Sequence, residues 1–168
     1  MICRKFTHRL FLFLSLFCSL YGRELKIYKN LIYTNLPDGL KRITGTVIDN
    51  SNYSIAIVRE KDNIRIWFEK VLRHSDKGKP IFKIMDEVIL YKTYKILYDN
   101  FGSAGECGYA KNKDVEIIAY FKMPEDSAGK DFTNIIKAWR ANRKTEKLEE
   151  ITTKNLVCEN ECKDGCEE

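Results

Sequence analysis

The stretch YSIAIVR spans residues 53–59, and the stretch IRIWFEKVL follows at residues 64–72. Both alternate with the period of two that a β-strand imposes on its two faces. Between them, Lys61-Asp62-Asn63 is typical of a tight hairpin turn. In the second stretch one face is apolar, and the other face carries Arg65, Trp67 and Glu69. The two stretches predict an antiparallel hairpin, with Trp67 or Phe68 in the core.

Further strands are predicted on both sides of this hairpin. Their segments are rich in β-branched and aromatic residues and are bounded by turn residues. They span residues 25–33, 43–48, 81–98 and 115–122, and the long third segment is expected to divide into two strands. Short strands separated by turns are typical of β-sandwiches and small barrels. The sequence therefore predicts a mainly β, antiparallel fold of one of these two kinds.

A helical spacing replaces the strand pattern after Pro124. The apolar residues that share one helical face are Phe132, Ile135, Ile136 and Trp139. The basic residues of the same segment are Lys137, Arg140, Lys144 and Lys147, and the acidic residues Glu146, Glu149 and Glu150 interleave with them. A basic stripe alone fits acidic polymers or lipid headgroups, whereas the interleaved acids favour a solvated, salt-bridged face. We expect one or two helical segments here.

The first 22 residues have the pattern of a secretory signal peptide. Basic residues precede the apolar run LFLFLSLFCSL at positions 10–20, and Gly22 supplies a small residue for cleavage before Arg23. The run is too short for a helix to cross a bilayer core of about 30 Å. An uncleaved anchor and a lipoprotein acylated at Cys18 are the alternatives. We expect a protein secreted or held in the periplasm or cell envelope, with no membrane span after cleavage.

Composition limits the class of the remaining chain. The 168 residues include 29 basic and 24 acidic side chains, and removal of residues 1–22 leaves 26 and 24. This balance excludes a polybasic nucleic-acid binder, and the 44% hydrophobic content excludes a disordered tail. We expect a single β-rich domain over residues 23–150 and an acidic, cysteine-bearing tail over residues 151–168.

Four cysteines remain after the signal segment, and all are candidates for disulfide bonds: Cys107, Cys158, Cys162 and Cys166. The C-x3-C-x3-C spacing of the tail differs from the usual zinc hooks, and its acidic neighbours disfavour thiolates. Four cysteines allow three pairings. An odd number of tail thiols cannot pair within the tail. We therefore predict that one tail cysteine bonds to Cys107 and that the other two pair locally.

The sequence offers few groups for catalysis, and we expect no enzymatic activity and no cofactor. His74 is the only histidine after the signal segment, so Cys107 and His74 form the only cysteine–histidine dyad, which a disulfide at Cys107 would remove. Asp86 and Glu87 are adjacent on a predicted strand and point to opposite faces. The glycines of residues 102–108 match neither a dinucleotide fingerprint nor a phosphate-binding loop.

Three short segments resemble a known family. The strand at residues 64–72, the Cys107-Gly108-Tyr109 loop and the strand at residues 115–121 are similar to those of bacterial proteins related to tissue inhibitors of metalloproteinases. The resemblance covers about residues 43–143 and implies a netrin-type, OB-like barrel. Inhibitory members begin with a Cys-x-Cys that chelates zinc, whereas the expected mature chain begins at Arg23.

These observations predict an exported, non-enzymatic binding or structural module of the cell envelope or extracellular space. Its expected partner is a protein or an envelope ligand of unknown identity, and not a nucleic acid. The alternatives are an inhibitor of an extracellular protease, which the resemblance implies, and a cysteine-dependent enzyme.

Overall fold

The computed structural model of the protein describes residues 26–91, 101–102, 106–110, 112–122 and 131–160. The predicted signal peptide lies outside these ranges. So do the second half of the predicted 81–98 segment and the two tail cysteines Cys162 and Cys166.

All regular secondary structure within the described ranges is β-strand. The strands are β1 (Ile32–Tyr33), β2 (Leu40–Val47), β3 (Tyr53–Glu60), β4 (Asn63–His74), β5 (Pro80–Leu90), β6 (Phe101–Gly102), β7 (Cys107–Tyr109), β8 (Asn112–Lys113), β9 (Ile117–Phe121), β10 (Ile135–Asn142), β11 (Lys147–Ile151) and β12 (Leu156–Cys158). The mainly β prediction is confirmed.

The strands form three antiparallel sheets. The first sheet has the order β1-β5-β4-β3-β2, the second has β11-β10-β9-β6, and the third has β12-β7-β8. The hairpin predicted from the opening stretches is β3–β4, in which Ala56 pairs with Trp67. β4 also pairs with β5, and this is the longest pairing among the described strands.

The main core lies between the first and second sheets. Ile66 and Phe68 of β4 pack in one cluster with Ile118 of β9 and Trp139 of β10. All four side chains are nearly or fully buried. The apolar face predicted for β4 is therefore the face that packs against the second sheet, and Trp67 is buried on the opposite face.

Residues 26–39, which we call the N-terminal strap, contain the edge strand β1 and cover the opposite face of the first sheet. Tyr28 and Tyr33 of the strap pack against Trp67 of β4, with ring centroids 5.5 and 5.7 Å apart respectively. Backbone hydrogen bonds attach the strap to β5, from Asn30 N to Ile84 O at 2.8 Å and from Ile84 N to Leu31 O at 3.0 Å. The central parts of β3 and β4 are thus buried on both faces.

The third sheet and the chain around it cover the outer face of the second sheet. Ile117 and Phe121 of β9 pack there with Cys107, Leu156 and Cys158. All five residues of β9 are buried, because both of its faces meet another layer. Four layers therefore stack in the order strap, first sheet, second sheet, third sheet.

The OB-like barrel prediction is wrong. A barrel needs its edge strands to pair with one another, whereas the first sheet ends at β1 and β2 and the second sheet ends at β11 and β6. The described strands pack face to face as sheets that remain open. The expectation of a barrel that came with the resemblance fails for the same reason.

The prediction of helical segments near the C-terminus is also wrong for the described residues. β10 lies in the middle of the second sheet, and its apolar residues occupy both faces. Trp139 packs in the main core, while Ala138 packs in the cluster beside the third sheet. A bulge at Ile136 also shifts the register between β10 and β9. Apolar residues on two faces produced a spacing that resembles a helical face.

Candidate functional site

Two of the four candidate cysteines, Cys107 and Cys158, are bonded to each other. They are direct cross-strand partners in β7 and β12, and both are fully buried. Phe132 lies on the other side of Cys158, with its N 2.7 Å from Cys158 O and its O 3.0 Å from Cys158 N. The disulfide therefore joins the start of the tail to the layer that covers the second sheet.

The residues considered for catalysis do not come together. Cys107 is engaged in the disulfide, and His74 is exposed at the end of β4 in another sheet. Glu87 contacts Arg65 at 2.9 Å on the strap side of β5, whereas Asp86 contacts Lys29 and the backbone N of Leu148. Within the described ranges, no three His, Cys, Asp or Glu side chains gather as a metal-binding group.

Gly108 permits a close approach of two strands. A Cβ at this position would overlap the carbonyl of Asn112 and would lie 2.8 Å from the Cα of Lys113. Both of those residues belong to β8, which pairs with β7. The glycine-rich loop therefore serves strand packing at Gly108, while Gly105 lies outside the described residues.

Arg65 is the centre of a buried charged group beneath the strap. Its side chain is fully buried, and it donates to Glu60 Oε2 at 2.6 Å, to Glu87 Oε2 at 2.9 Å and to the backbone O of Lys26 at 2.9 Å. Its guanidinium also lies 4.8 Å from the centre of the Tyr28 ring. These contacts satisfy the buried cation and attach the first residues of the strap to β4.

Glu69 is the centre of a second buried group on the same face of β4. Its carboxylate accepts hydrogen bonds from the Tyr33 hydroxyl, from Ser54 Oγ at 3.2 Å and from Arg42 Nη2. Burial raises the pKa of Glu69, and the charge of Arg42 opposes that rise. Burial and the adjacent carboxylate raise the pKa of Tyr33, so its hydroxyl remains the donor.

These two buried groups hold the strap in place and offer no open reactive carboxylate. Glu69 is fully buried, and Arg65 is enclosed between its carboxylates and Tyr28. The alternation of residues 64–72 predicts that Arg65, Trp67 and Glu69 share one face, but alternation alone does not identify them as buried partners of the strap. The feature of the sequence that indicates burial of this face is Trp67, a large apolar residue that lies between Arg65 and Glu69.

Glu146 connects the two main sheets at the surface. It lies in the turn between β10 and β11, and its Oε1 accepts from Lys70 Nζ at 2.9 Å and from the Tyr53 hydroxyl at 2.7 Å. These hydrogen bonds lower the pKa of Glu146. Lys83, the cross-strand partner of Lys70, lowers it further through its charge.

The predicted basic stripe of residues 137–147 does not form, because the segment is not helical. Lys137 pairs with Glu150 at 3.5 Å, and Arg140 pairs with Asp114 at 2.5 Å. Lys144 and Lys147 belong to the β10–β11 turn and to β11. Cross-strand carboxylates therefore neutralise much of the basic charge on the second sheet.

Several exposed basic residues lie close together at one end of the first sheet. We call residues 70–83, which comprise the end of β4, its turn and the start of β5, the basic hairpin. The segment contains five basic residues and one acidic residue. Arg73, Lys77 and Lys79 are exposed, and none of the three has a salt bridge within the part of the chain that the structure describes.

The turn of the basic hairpin is well ordered by hydrogen bonds. Ser75 N donates to Lys79 O at 2.8 Å, Gly78 N donates to Ser75 O at 2.8 Å, and Lys79 N donates to Ser75 Oγ at 3.1 Å. Gly78 has a φ of 72°, in the left-handed region that glycine adopts without strain. Hydrogen bonds therefore close the backbone of the turn that carries these cations.

A β-bulge places an apolar residue beside these cations. Val71 pairs with Phe82, and Arg73 pairs with Ile81, so that Leu72 is the extra residue. Leu72 is 45% exposed, and Ile32, the cross-strand neighbour of Lys83, is 56% exposed. The basic hairpin thus combines unpaired cations with the exposed Leu72, and Ile32 of β1 lies next to it. It is the candidate binding surface.

Comparison with known proteins gives no independent assignment of this surface. No family model, no curated protein and no solved structure matches the chain. Among the residues that the structure describes, none belongs to a helix with the length and apolar character needed to span a bilayer.

Proposed function

We propose that the protein is an exported, non-enzymatic binding module that acts in the cell envelope or extracellular space through its basic hairpin. The observation that carries the proposal is the set of exposed cations, Arg73, Lys77 and Lys79, without carboxylate partners in the described chain. Unpaired cations on a fixed turn attract anionic ligands, whereas a salt-bridged face does not.

Export is supported by the signal-peptide pattern of residues 1–22 and by the disulfide between Cys107 and Cys158. Disulfides form and persist mainly in oxidising compartments. A non-enzymatic role is supported by the enclosure of Glu69 and Arg65 within satisfied groups, since a substrate could not reach them without displacement of the strap.

The test of binding compares the retention of the mature wild-type protein and of two double variants on immobilised heparin. Lys77→Glu/Lys79→Glu should elute at much lower salt than the wild type, because it reverses two exposed charges at the turn. The matched control is Lys41→Glu/Lys154→Glu, which makes the same change of net charge at exposed positions in β2 and before β12. An equal loss of heparin retention in both variants, or no retention of the wild type, would contradict the proposal.

The inhibitor alternative requires a cysteine at the mature N-terminus, and cleavage before Cys18 would supply one. N-terminal sequencing of the exported protein separates the two functions. We expect the sequence to begin at Arg23. A terminus at Cys18, together with inhibition of a zinc protease, would replace the binding-module proposal with the inhibitor.

A further inference from the structure

We propose that the partner of the basic hairpin is the anionic surface of a lipid bilayer. This inference rests on the proposed function, and it specifies the ligand class of the same surface. It requires that the hairpin offer cations to lipid headgroups and also aliphatic groups to the interfacial region.

The distribution of charge supplies the first requirement. Lys70 and Lys83 are directly cross-strand, and Arg73, Lys77 and Lys79 follow toward the turn. Glu146 pairs with Lys70 and lies within the electrostatic influence of Lys83. The cations nearer the turn form no salt bridge in the described chain. Asp76 is the one acidic residue among these three cations, so residues 73–79 keep a net charge of +2.

The bulge supplies the second requirement. Because Leu72 is the unpaired extra residue between the Val71 and Arg73 pairs, it does not occupy a regular position in the sheet. It is 45% exposed directly beside Arg73. Neutral glycans bind through hydrogen bonds, and polyanions bind through charge and hydrogen bonds. A bilayer interface also accepts aliphatic side chains among the basic ones.

Co-sedimentation with vesicles tests the proposal, with equal amounts of phosphatidylcholine and phosphatidylglycerol against pure phosphatidylcholine. We expect salt-sensitive binding to the anionic vesicles alone. Each cation near an anionic surface contributes about fivefold to partitioning, so Lys77→Glu/Lys79→Glu should bind roughly 25-fold more weakly or worse. Lys41→Glu/Lys154→Glu should bind within about twofold of the wild type, because screening limits the effect of distant charges.

A second measurement tests insertion of the bulge residue. The native tryptophans, Trp67 and Trp139, are buried and give a constant background. Leu72→Trp should therefore show a blue-shifted emission on addition of anionic vesicles, and Leu72→Ser should bind more weakly than the wild type. Circular dichroism of each variant controls for folding.

The outcomes separate this inference from the proposed function. Retention on heparin without binding to anionic vesicles would overturn the lipid partner and leave the binding module intact. Failure of the wild type in both assays would overturn both proposals. Unchanged emission of Leu72→Trp, with unchanged binding of Leu72→Ser, would show that the bilayer is contacted by charge alone and would overturn the role of Leu72.

Discussion

Nη2 of Arg42 lies 3.1 Å from each carboxylate oxygen of Glu69, a residue whose side chain is fully buried in the first sheet. Arg42 itself is 31% exposed, and its guanidinium lies 5.5 Å from the centre of the Phe82 ring. The same Nη2 donates to the Tyr33 hydroxyl at 2.6 Å. One arginine of β2 therefore neutralises a buried acid of β4 and also contacts the strap.

Removal of Arg42 should leave an unpaired buried carboxylate. We expect Arg42→Met to lower the free energy of unfolding by about 3 kcal/mol, as measured by urea denaturation. The matched control is Arg42→Met/Glu69→Gln, which removes both charges and keeps an amide for Tyr33 and Ser54. The double variant should recover part of the loss. The Glu69→Gln single variant completes the cycle, and a double variant whose loss equals the sum of the two single losses would mean that the pair is not energetically coupled.

The Glu146 carboxylate should make stability depend on pH. Its pKa is lowered in the folded protein, so its contribution is present above its unfolded pKa of about 4.3 and is lost as the pH falls through the folded value. Since the site is exposed, we expect Glu146→Gln to cost less than about 1 kcal/mol at neutral pH. The difference between wild type and variant should shrink during acid titration of the free energy of unfolding. A constant difference would contradict the assignment.

Replacement by alanine should lower the free energy of unfolding by different amounts at Gly108 and at Gly45. Gly108→Ala places a Cβ against backbone atoms of β8, and the β7–β8 pairing would have to shift. At Gly45 the Cβ would lie 2.7 Å from Nη1 of Arg42, so the guanidinium would have to shift within its hydrogen bonds to Glu69 and Tyr33, but no backbone atom would have to move. Alanine in a strand otherwise gains roughly 0.5–1 kcal/mol over glycine. Urea denaturation should therefore show a larger loss for Gly108→Ala than for Gly45→Ala, and the reverse order would be inconsistent with the close approach at β8.

The disulfide should contribute strongly to stability. Cys107 and Cys158 are separated by 51 residues, and the chain-entropy estimate for a loop of this length is about 4 kcal/mol. Cys107→Ser and Cys158→Ser should each lower the free energy of unfolding by a similar amount. The double variant should add little, because each single variant already breaks the bond.

Peptide mapping checks the connection itself. Cleavage of the non-reduced protein with trypsin and a glutamate-specific protease separates Cys158 from Cys162, since Glu159 lies between them. The peptide that begins at Cys107 should be linked to the peptide that contains Cys158. Isolation of the Cys107 peptide with a free thiol from exported protein would contradict the structure.

Local patterns in the sequence determined the central hairpin of the first sheet, whereas the strand predicted at residues 25–33 is limited to Ile32–Tyr33 in the described residues. The period of two at residues 53–59 and 64–72 assigned the hairpin and separated Ile66 and Phe68 from Arg65 and Glu69. The assignment of faces succeeds because alternation follows from the pleat of a single strand and does not depend on a partner strand. The same reasoning placed Asp86 and Glu87 on opposite faces. Their hydrogen bonds agree, because Glu87 accepts from Arg65 on the strap side, whereas Asp86 accepts from the backbone N of Leu148 in the second sheet.

The tertiary structure alone decided what each face meets. The Arg65 and Glu69 face reads as solvent-facing in isolation, and it is buried because the strap supplies Tyr28 and Tyr33 across the sheet. β10 reads as a helix because both faces of its strand are covered by other layers, which removes the alternation that identifies a strand. The sequence likewise left three pairings open for four cysteines. The register of β7 and β12 places Cys158 opposite Cys107, because contacts between distant segments depend on how the layers stack and not on local spacing.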